Sequence, residues 1–189
     1  MNRETSTESA SPEEERLLKY KLFAMAYSYP DDSFFEIFRN LKKERKNLVV
    51  EYDRLFRAKE IWLYSTEYQA ENEFQRSNYL SDITGFYKAF GLQSSRDRPD
   101  SLSSEFEFMH YLIFKTQKAE RKMDDPSREE KISVCQDAQK KFFSEHILLA
   151  AQKIGAAVIS KTSHWFYAGI SQEMLDFLKK EQDYFEGMK

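Results

Sequence analysis

The sequence predicts an all-α protein, and three observations lead to that class. The 189 residues include only five glycines and four prolines, too few to turn many short strands. Apolar residues recur at spacings of three and four over long stretches, as on amphipathic helices. The length fits one domain with a sizeable core. We therefore expect residues 16–189 to form a single helical bundle, after a disordered tail at residues 1–15 that is rich in Ser, Thr and Glu.

Composition and charge exclude several classes of function. A net charge of -3 gives no general attraction to nucleic acid. The single cysteine, Cys135, excludes a disulfide within this sequence and is typical of a reducing compartment. The apolar run at residues 147–151 is far shorter than the roughly 20 residues of a membrane span. The sequence also lacks a phosphate-binding glycine loop, a nucleophile elbow and a zinc signature, so we expect a soluble, cytoplasmic protein that is not an enzyme and binds no metal.

Three helices are predicted in the N-terminal third of the chain. A helix over residues 17–27 ends before Pro30, because proline disfavours helical geometry in the residue that precedes it. A second helix over residues 34–46 begins at an aspartate or serine cap and ends in a basic run that complements its dipole. A third helix covers residues 48–56. Residues 58–77 show no clear period, which predicts an extended segment lying over the helices.

A glycine helix stop and a proline corner follow. A helix over residues 78–90 precedes Gly91, whose left-handed conformation lets Leu92 fold back onto the last turn. After a polar connection, Pro99 marks the start of a helix over residues 102–123, and Asp100 or Ser101 can cap it. Ordinary helix punctuation explains both features.

One carboxylate lies on the apolar side of that last helix. At about 100° per residue, Glu105 falls in the same sector as Leu102 and Phe106. A buried carboxylate without a partner costs several kcal/mol or takes up a proton. We therefore expect Glu105 to meet an arginine, a tyrosine hydroxyl or a cationic ligand, whereas Glu107 points to the other side and is solvated.

The remaining sequence predicts two long helices. Ser127 and Glu130 resemble a capping box that opens the first of them. Its apolar stripe consists of Ile132, Cys135, Gln139, Phe142, Phe143, His146, Leu149 and Ala150. A lone histidine on such a stripe, here His146, indicates a satisfied core residue and not a metal ligand, because no ligand-spaced partner accompanies it. After Gly155 the chain leads through Gly169 to a final helix.

Five segments, in order and at compatible spacing, resemble one known family. They are residues 51–56, 63–68, 82–92, 98–102 and 105–109. The chain resembles the TorD/DmsD/NarJ family, the cytoplasmic maturation chaperones of molybdenum enzymes, and most closely the chaperones of the type II dimethyl sulfoxide reductase group. The likeness extends over residues 17–185 and is strongest from 51 to 112.

The resemblance implies a non-catalytic chaperone for the catalytic subunit of a molybdopterin-containing oxidoreductase. Such a chaperone binds the apo subunit through its twin-arginine leader, its body, or both, until the bis-pterin molybdenum cofactor is in place, and it prevents premature export or assembly. We expect no permanently bound cofactor, no nucleic acid, no stable membrane insertion, and a monomer or weak homodimer. The alternative is a helical protein-interaction adaptor without a role in cofactor insertion.

A leader with two arginines and an apolar stretch needs carboxylates for the guanidinium groups and aromatic walls for the rest. The residues expected to bind the client are Tyr64, Glu67, Tyr68, Asp82, Phe86, Tyr87, Phe90, Arg98, Pro99, Asp100, Glu105, Glu107 and His146. The chain departs from the family pattern at three positions. It has Ser101 where a histidine usually follows Pro-Asp, Ser65 where glutamate is common, and Ala150 where tryptophan is common. From the proline corner, only Pro99 and Asp100 carry over.

Overall fold

The computed structural model describes residues 11–58, 60–93 and 98–188, which form helices joined by short connections. The elements are α1 (Pro12–Ala26), α2 (Asp32–Ile37), a 3₁₀ turn (Arg39–Glu44), α3 (Arg45–Tyr52), a π turn (Asp53–Arg57), α4 (Thr66–Gln69), α5 (Glu73–Ala89), α6 (Leu102–Glu120), α7 (Arg128–Phe142), a second π turn (Phe143–Ile147), α8 (Leu148–Lys161) and α9 (Trp165–Gly187). Within the described ranges, extended segments pair only at an isolated antiparallel bridge between Tyr64 and Ser101. The predicted all-α class is confirmed.

Helix α6 lies at the centre of the bundle, against α1 on one side and α7 on the other, while α8 packs on α9. The predicted apolar sector of α6 is confirmed, since its members are completely buried: Leu102, Glu105, Phe106, Met109, Leu112 and Ile113. Phe23 of α1 lies 5.9 Å from Phe106, and the Tyr20 ring meets Phe177 of α9 edge-on at 5.0 Å. These large rings join three helices in one core.

A buried polar network crosses this core. Arg16 donates from Nε and Nη2 to the two carboxylate oxygens of Glu181, at 2.6 and 2.9 Å. The Tyr20 hydroxyl donates to Glu181 at 2.8 Å, and Arg16 also reaches Gln139, which in turn donates to Thr116 at 3.0 Å. We call these five side chains the Arg16 network. It connects α1, α6, α7 and α9.

The first helix begins earlier than predicted. Ser11 is its N-cap, and Ser11 and Glu14 form a reciprocal capping box, with bonds of 3.2 and 3.0 Å. Residues 12–15, expected in the tail, are therefore helical; residues 1–10 lie outside the described part. The basic run expected at the end of the second helix instead forms the 3₁₀ turn and the start of α3.

The extended segment expected over residues 58–77 is wrong in two places, because it contains α4 and the start of α5. Asn72 caps α5 by accepting a hydrogen bond from the Gln75 N–H at 2.9 Å. Other boundaries differ as well. Ser127 makes no side-chain cap bond, and Gly155 and Gly169 lie inside α8 and α9. Ordinary caps and long helices replace the predicted irregular stretches.

Helix α7, the second π turn and α8 form one continuous helix, Arg128–Lys161. Its buried face changes at the π turn Phe143–Ile147. A π turn holds one residue more than an α turn, so the side chains beyond it are rotated by about 100° from the regular pattern. Leu149, predicted on the apolar stripe, is 45% exposed. The turn itself ends on the buried Ile147, and the buried positions beyond it are Ala150, Ala151, Ile154, Gly155 and Val158. The first half of the helix therefore packs on α6 and the second half on α9.

The continuous helix Arg128–Lys161 is long and apolar enough to span a membrane by length and composition alone. The sequence did not predict this, because its longest apolar run is short. Half of the most apolar window, 50%, is buried inside the bundle. A core helix has the same properties, so this is weak support for a membrane span.

Gly91 ends α5 in the predicted left-handed conformation, with φ at 75°, and Leu92 N–H donates to Tyr87 C=O at 2.8 Å. We expect Gly91→Ala to lower the free energy of unfolding by about 1 kcal/mol, because a side chain disfavours this backbone conformation. Urea unfolding followed by circular dichroism measures the change. Gly85→Ala is the control: Gly85 lies inside α5 with open space around it, so alanine should stabilise by about 0.5–1 kcal/mol. Equal effects of both changes would contradict the prediction.

Candidate functional site

The structure brings most of the predicted site residues into two clusters. The first contains Tyr64, Glu67, Tyr87, Arg98, Pro99, Asp100 and Glu105. The second contains Asp82, Phe86, Phe90 and His146, joined through Phe108 and Phe142. Tyr68 and Glu107 have other partners. Tyr87 connects the two clusters, because its hydroxyl donates to Pro99 C=O and its ring lies 4.8 Å from that of Phe108.

Arg98 lies at the centre of the first cluster. Its Nε and Nη2 donate to the two carboxylate oxygens of Asp100 at 2.9 and 2.7 Å, a bidentate pair. Its Nη1 lies 3.5 Å from Glu67 Oε1, and its guanidinium carbon lies 4.0 Å from the centre of the Tyr64 ring. Thr66 completes the set by donating to Asp100 Oδ2 at 2.6 Å. We call Tyr64, Thr66, Glu67 and Asp100 the arginine cradle.

Backbone pairing holds the arginine cradle against the start of α6. Ser65 N–H donates to Asp100 C=O and Leu102 N–H donates to Leu63 C=O, both at 2.8 Å. Between them, Ser101 caps α6 by accepting a hydrogen bond from the N–H three residues later, at 3.2 Å. A serine where the family pattern has histidine therefore has a structural role in this chain.

Glu105 is completely buried directly below the arginine cradle. Its partner is the Ser65 hydroxyl, which donates to Oε1 at 2.5 Å, and not the arginine or tyrosine that we expected. Burial raises the pKa of Glu105 well above its usual value, and the negative charge of Asp100 raises it further. Burial therefore favours the protonated form of this carboxyl group. Within the described part of the chain, Oε2 has no hydrogen-bond partner.

The carboxylates expected to bind a client differ in their access to solvent. Asp100 and Glu105 are 0% exposed, whereas the Asp82 side chain is 49% exposed. Glu67 is partly buried and accepts hydrogen bonds from Arg76 at both oxygens, at 2.9 and 3.0 Å. An arginine from another molecule could reach Asp100 only by replacing Arg98.

A cleft of about 260 Å³ opens beside the arginine cradle, between the end of α1, α3 and the segment that carries Tyr64. Its aromatic lining consists of Tyr27, Tyr29, Tyr52, Phe56 and Tyr64, and Arg98 lies at its edge. We call it the tyrosine cleft. The sequence analysis missed all of its aromatic residues except Tyr64, because Tyr52 and Phe56 fit the apolar face of an ordinary helix and only the fold brings them beside Tyr27 and Tyr29.

His146 is buried in the second cluster, beside the rings of Phe86 and Phe142, with centroids 5.7 and 5.0 Å away. Its Nε2 lies 2.9 Å from Asp82 Oδ2. Burial lowers the pKa of His146, although the Asp82 carboxylate partly opposes this. Burial thus favours the neutral imidazole. Its Nε2 has a partner, as predicted for a core histidine, but its Nδ1 has none among the described residues.

Asp82, Glu145 and His146 offer ligand atoms that all lie within 4.8 Å of one another, a group that could hold a metal ion. The sequence has no metal-ligand motif here, but the fold brings Asp82 of α5 close to Glu145 and His146 of the second π turn. Within the described ranges, however, His146 Nδ1 has no partner, and a metal-bound histidine usually donates its second ring N–H to one. The absence of a metal stays a prediction.

The remaining two predicted residues have local partners. Glu107 is exposed, as predicted, and accepts hydrogen bonds from Lys21 of α1 at 2.8 Å to each oxygen. The Tyr68 hydroxyl donates to the Trp62 carbonyl at 2.9 Å. Glu107 lies apart from both clusters, whereas Tyr68 lies next to the arginine cradle, since its N–H donates to Ser65 C=O at 3.0 Å.

Two comparisons with known proteins identify the family of this chain. The family model described as Nitrate reductase delta subunit matches residues 25–149, which include both clusters and the tyrosine cleft. The chain is also similar to the perchlorate reductase assembly chaperone protein of Dechloromonas aromatica (strain RCB), with 29% identity over 98 residues. That match covers 50% of this chain and 41% of the relative's own length. The family resemblance of the sequence is confirmed: the chain belongs to the nitrate reductase delta subunit family of NarJ/TorD-type chaperones.

Proposed function

We propose that this chain is the chaperone of a molybdopterin-containing oxidoreductase, and that it binds the apo catalytic subunit until the bis-pterin molybdenum cofactor is inserted. The family membership and the assembly role in the relative's name support this proposal. The tyrosine cleft is the structural observation that carries it. Assembly chaperones are not catalysts, so the chain acts without being an enzyme and holds no permanent cofactor.

The tyrosine cleft suits a peptide with apolar and cationic parts. Tyrosine walls offer apolar ring surface together with hydroxyl groups, a combination that is common at protein interfaces. Tyr29 is 42% exposed and meets Tyr52 edge-on at 5.4 Å, so a ligand can reach ring surface at the cleft opening. We propose that the cleft takes the leader of the client subunit, or an extended segment of its body, with the arginine cradle at one end. Binding there prevents premature export or assembly. The chaperone acts in the cytoplasm as a monomer or weak homodimer.

Co-purification tests the cleft. We expect the tagged chaperone to retain the apo catalytic subunit, and Tyr29→Ser to weaken this binding by about tenfold, because an exposed aromatic contact is lost. Phe74→Ser is the matched control, since Phe74 is 76% exposed on α5 and does not line the cleft. Equal retention by both variants would exclude the tyrosine cleft as the client site.

The same material separates the proposal from its alternative, an interaction adaptor without a role in cofactor insertion. Molybdenum and pterin are measured in the retained subunit. A chaperone of cofactor insertion holds the cofactor-free subunit and releases it when the cofactor is supplied. An adaptor would retain both forms equally.

A further inference from the structure

The arginine cradle contacts Arg98 through its guanidinium group. The bidentate bonds to Asp100 and the contacts to Glu67 and the Tyr64 ring all involve guanidinium atoms. A planar fork that donates to two oxygens and stacks on a ring is a property of any arginine side chain. An arginine from another chain would therefore make the same contacts.

Two members of the cradle are completely buried, whereas Arg98, which occupies it, is partly exposed. Asp100 and Thr66 are 0% exposed, whereas the Arg98 side chain is 37% exposed and lines the tyrosine cleft. Arg98 can thus turn into solvent, while Asp100 stays inside. A buried carboxylate that loses its cation is strongly disfavoured, so Arg98 leaves only when another guanidinium takes its place.

We propose that Arg98 is an internal occupant of a guanidinium-binding site, from which an arginine of the client displaces it. The inference rests on the proposed function and adds a selection step to it. In the free chaperone, Arg98 occupies the cradle. A client displaces it only if the client carries an arginine next to a segment that fits the tyrosine cleft. A lysine cannot replace Arg98 in this way, because an ammonium group is a point charge without the fork.

Chemical rescue tests the site without any client. Arg98→Ala leaves Asp100 buried without its cation and lowers the melting temperature. We expect methylguanidinium to raise the melting temperature of this variant by about 2–4 °C, methylammonium to have no such effect, and the wild type not to respond. If Arg98→Ala does not fold, Arg98→Lys keeps a charge opposite Asp100 and is tested with the same salts. An equal response to both salts would overturn the proposal.

Peptide binding tests the displacement. A synthetic peptide with two adjacent arginines followed by an apolar stretch is titrated into the wild type, Arg98→Ala and Arg54→Ala. We expect Arg98→Ala to bind it about tenfold more tightly than the wild type, because no internal group competes. The gain should vanish for the peptide with two lysines. Arg54→Ala is the matched control, since Arg54 forms a bidentate pair with Glu51 outside the cradle, at 2.9 and 2.8 Å. Binding by Arg98→Ala that is equal to or weaker than wild type would overturn the displacement.

The two proposals fail in different ways. If the wild type does not retain a catalytic subunit, the proposed function fails, and rescue by methylguanidinium still decides whether the cradle accepts an external guanidinium. If the subunit is retained but Arg98→Ala shows neither rescue nor tighter peptide binding, the internal-occupant proposal alone fails.

Discussion

Glu181→Ala should lower the free energy of unfolding by about 3 kcal/mol, because the buried Arg16 guanidinium loses its bidentate partner and keeps only the partly exposed Glu13 carboxylate, 2.9 Å from Nη1. The side chains of Arg16 and Glu181 are only 8% and 2% exposed, so water cannot replace the lost bonds. The Tyr20 hydroxyl loses its acceptor in the same variant. Domains of this kind have about 5–15 kcal/mol in total, so the loss removes a large part of the stability. Urea unfolding measures it, with the slope checked for two-state behaviour.

A double variant separates the cost of an unpaired charge from the value of the ion pair. Arg16→Met combined with Glu181→Leu removes both charges and should lose much less stability than Glu181→Ala, because apolar groups of similar size can replace a buried pair. Glu107→Ala is the surface control. It breaks the exposed pair with Lys21 and should change stability by about 0.5 kcal/mol or less. A double variant as unstable as Glu181→Ala would contradict this account.

Glu105→Gln should change how stability depends on pH. The pKa of Glu105 is raised in the folded protein by burial, so the folded state keeps a proton that the unfolded state releases above a pKa of about 4.3. This stabilising contribution is complete below the unfolded pKa and is lost as the pH rises through the folded pKa. In that window, wild-type stability should fall by about 1.4 kcal/mol per pH unit relative to Glu105→Gln.

Urea unfolding of both proteins at a series of pH values measures this difference. Below pH 4 the variant should be less stable by about 1–3 kcal/mol, because the amide buries a donor that lacks a partner. The two curves should approach each other as the pH rises. Glu107→Gln is the control, because it makes the same substitution at an exposed position of α6 and leaves the buried carboxyl in place. Parallel curves for Glu105→Gln would show that this carboxyl is not protonated in the fold.

The local pattern of the sequence predicts the helices well where one face alone is buried. The sector of α6 and the left-handed Gly91 follow from spacing and residue type, and the structure confirms both. Of the two predicted caps of α6, Asp100 and Ser101, the structure has Ser101. The start of α1 was missed because three glutamates there have no apolar partners along the sequence. That turn is fixed by its capping box instead.

The site was harder to predict because its contacts are not local. Ser65 and Glu105 are 40 residues apart, and Thr66 and Asp100 are 34 apart. The expectation that Glu105 has an internal partner was sound, since burial of a carboxylate demands one. The identity of the partner depends on how the segment before α4 lies against α6. The spacing of apolar residues in the sequence does not predict that arrangement.

The π turn Phe143–Ile147 has a consequence for sequence comparison. Its additional residue sets which positions of the following helix are buried, so a relative with a regular helix here would have its apolar positions shifted by one. An alignment without a one-residue gap at this point would place Lys153, which is exposed in this chain, opposite the core residue of the relative that is equivalent to Ile154. Such an alignment would hide the shared apolar pattern of the helix after the turn, although the fold is the same.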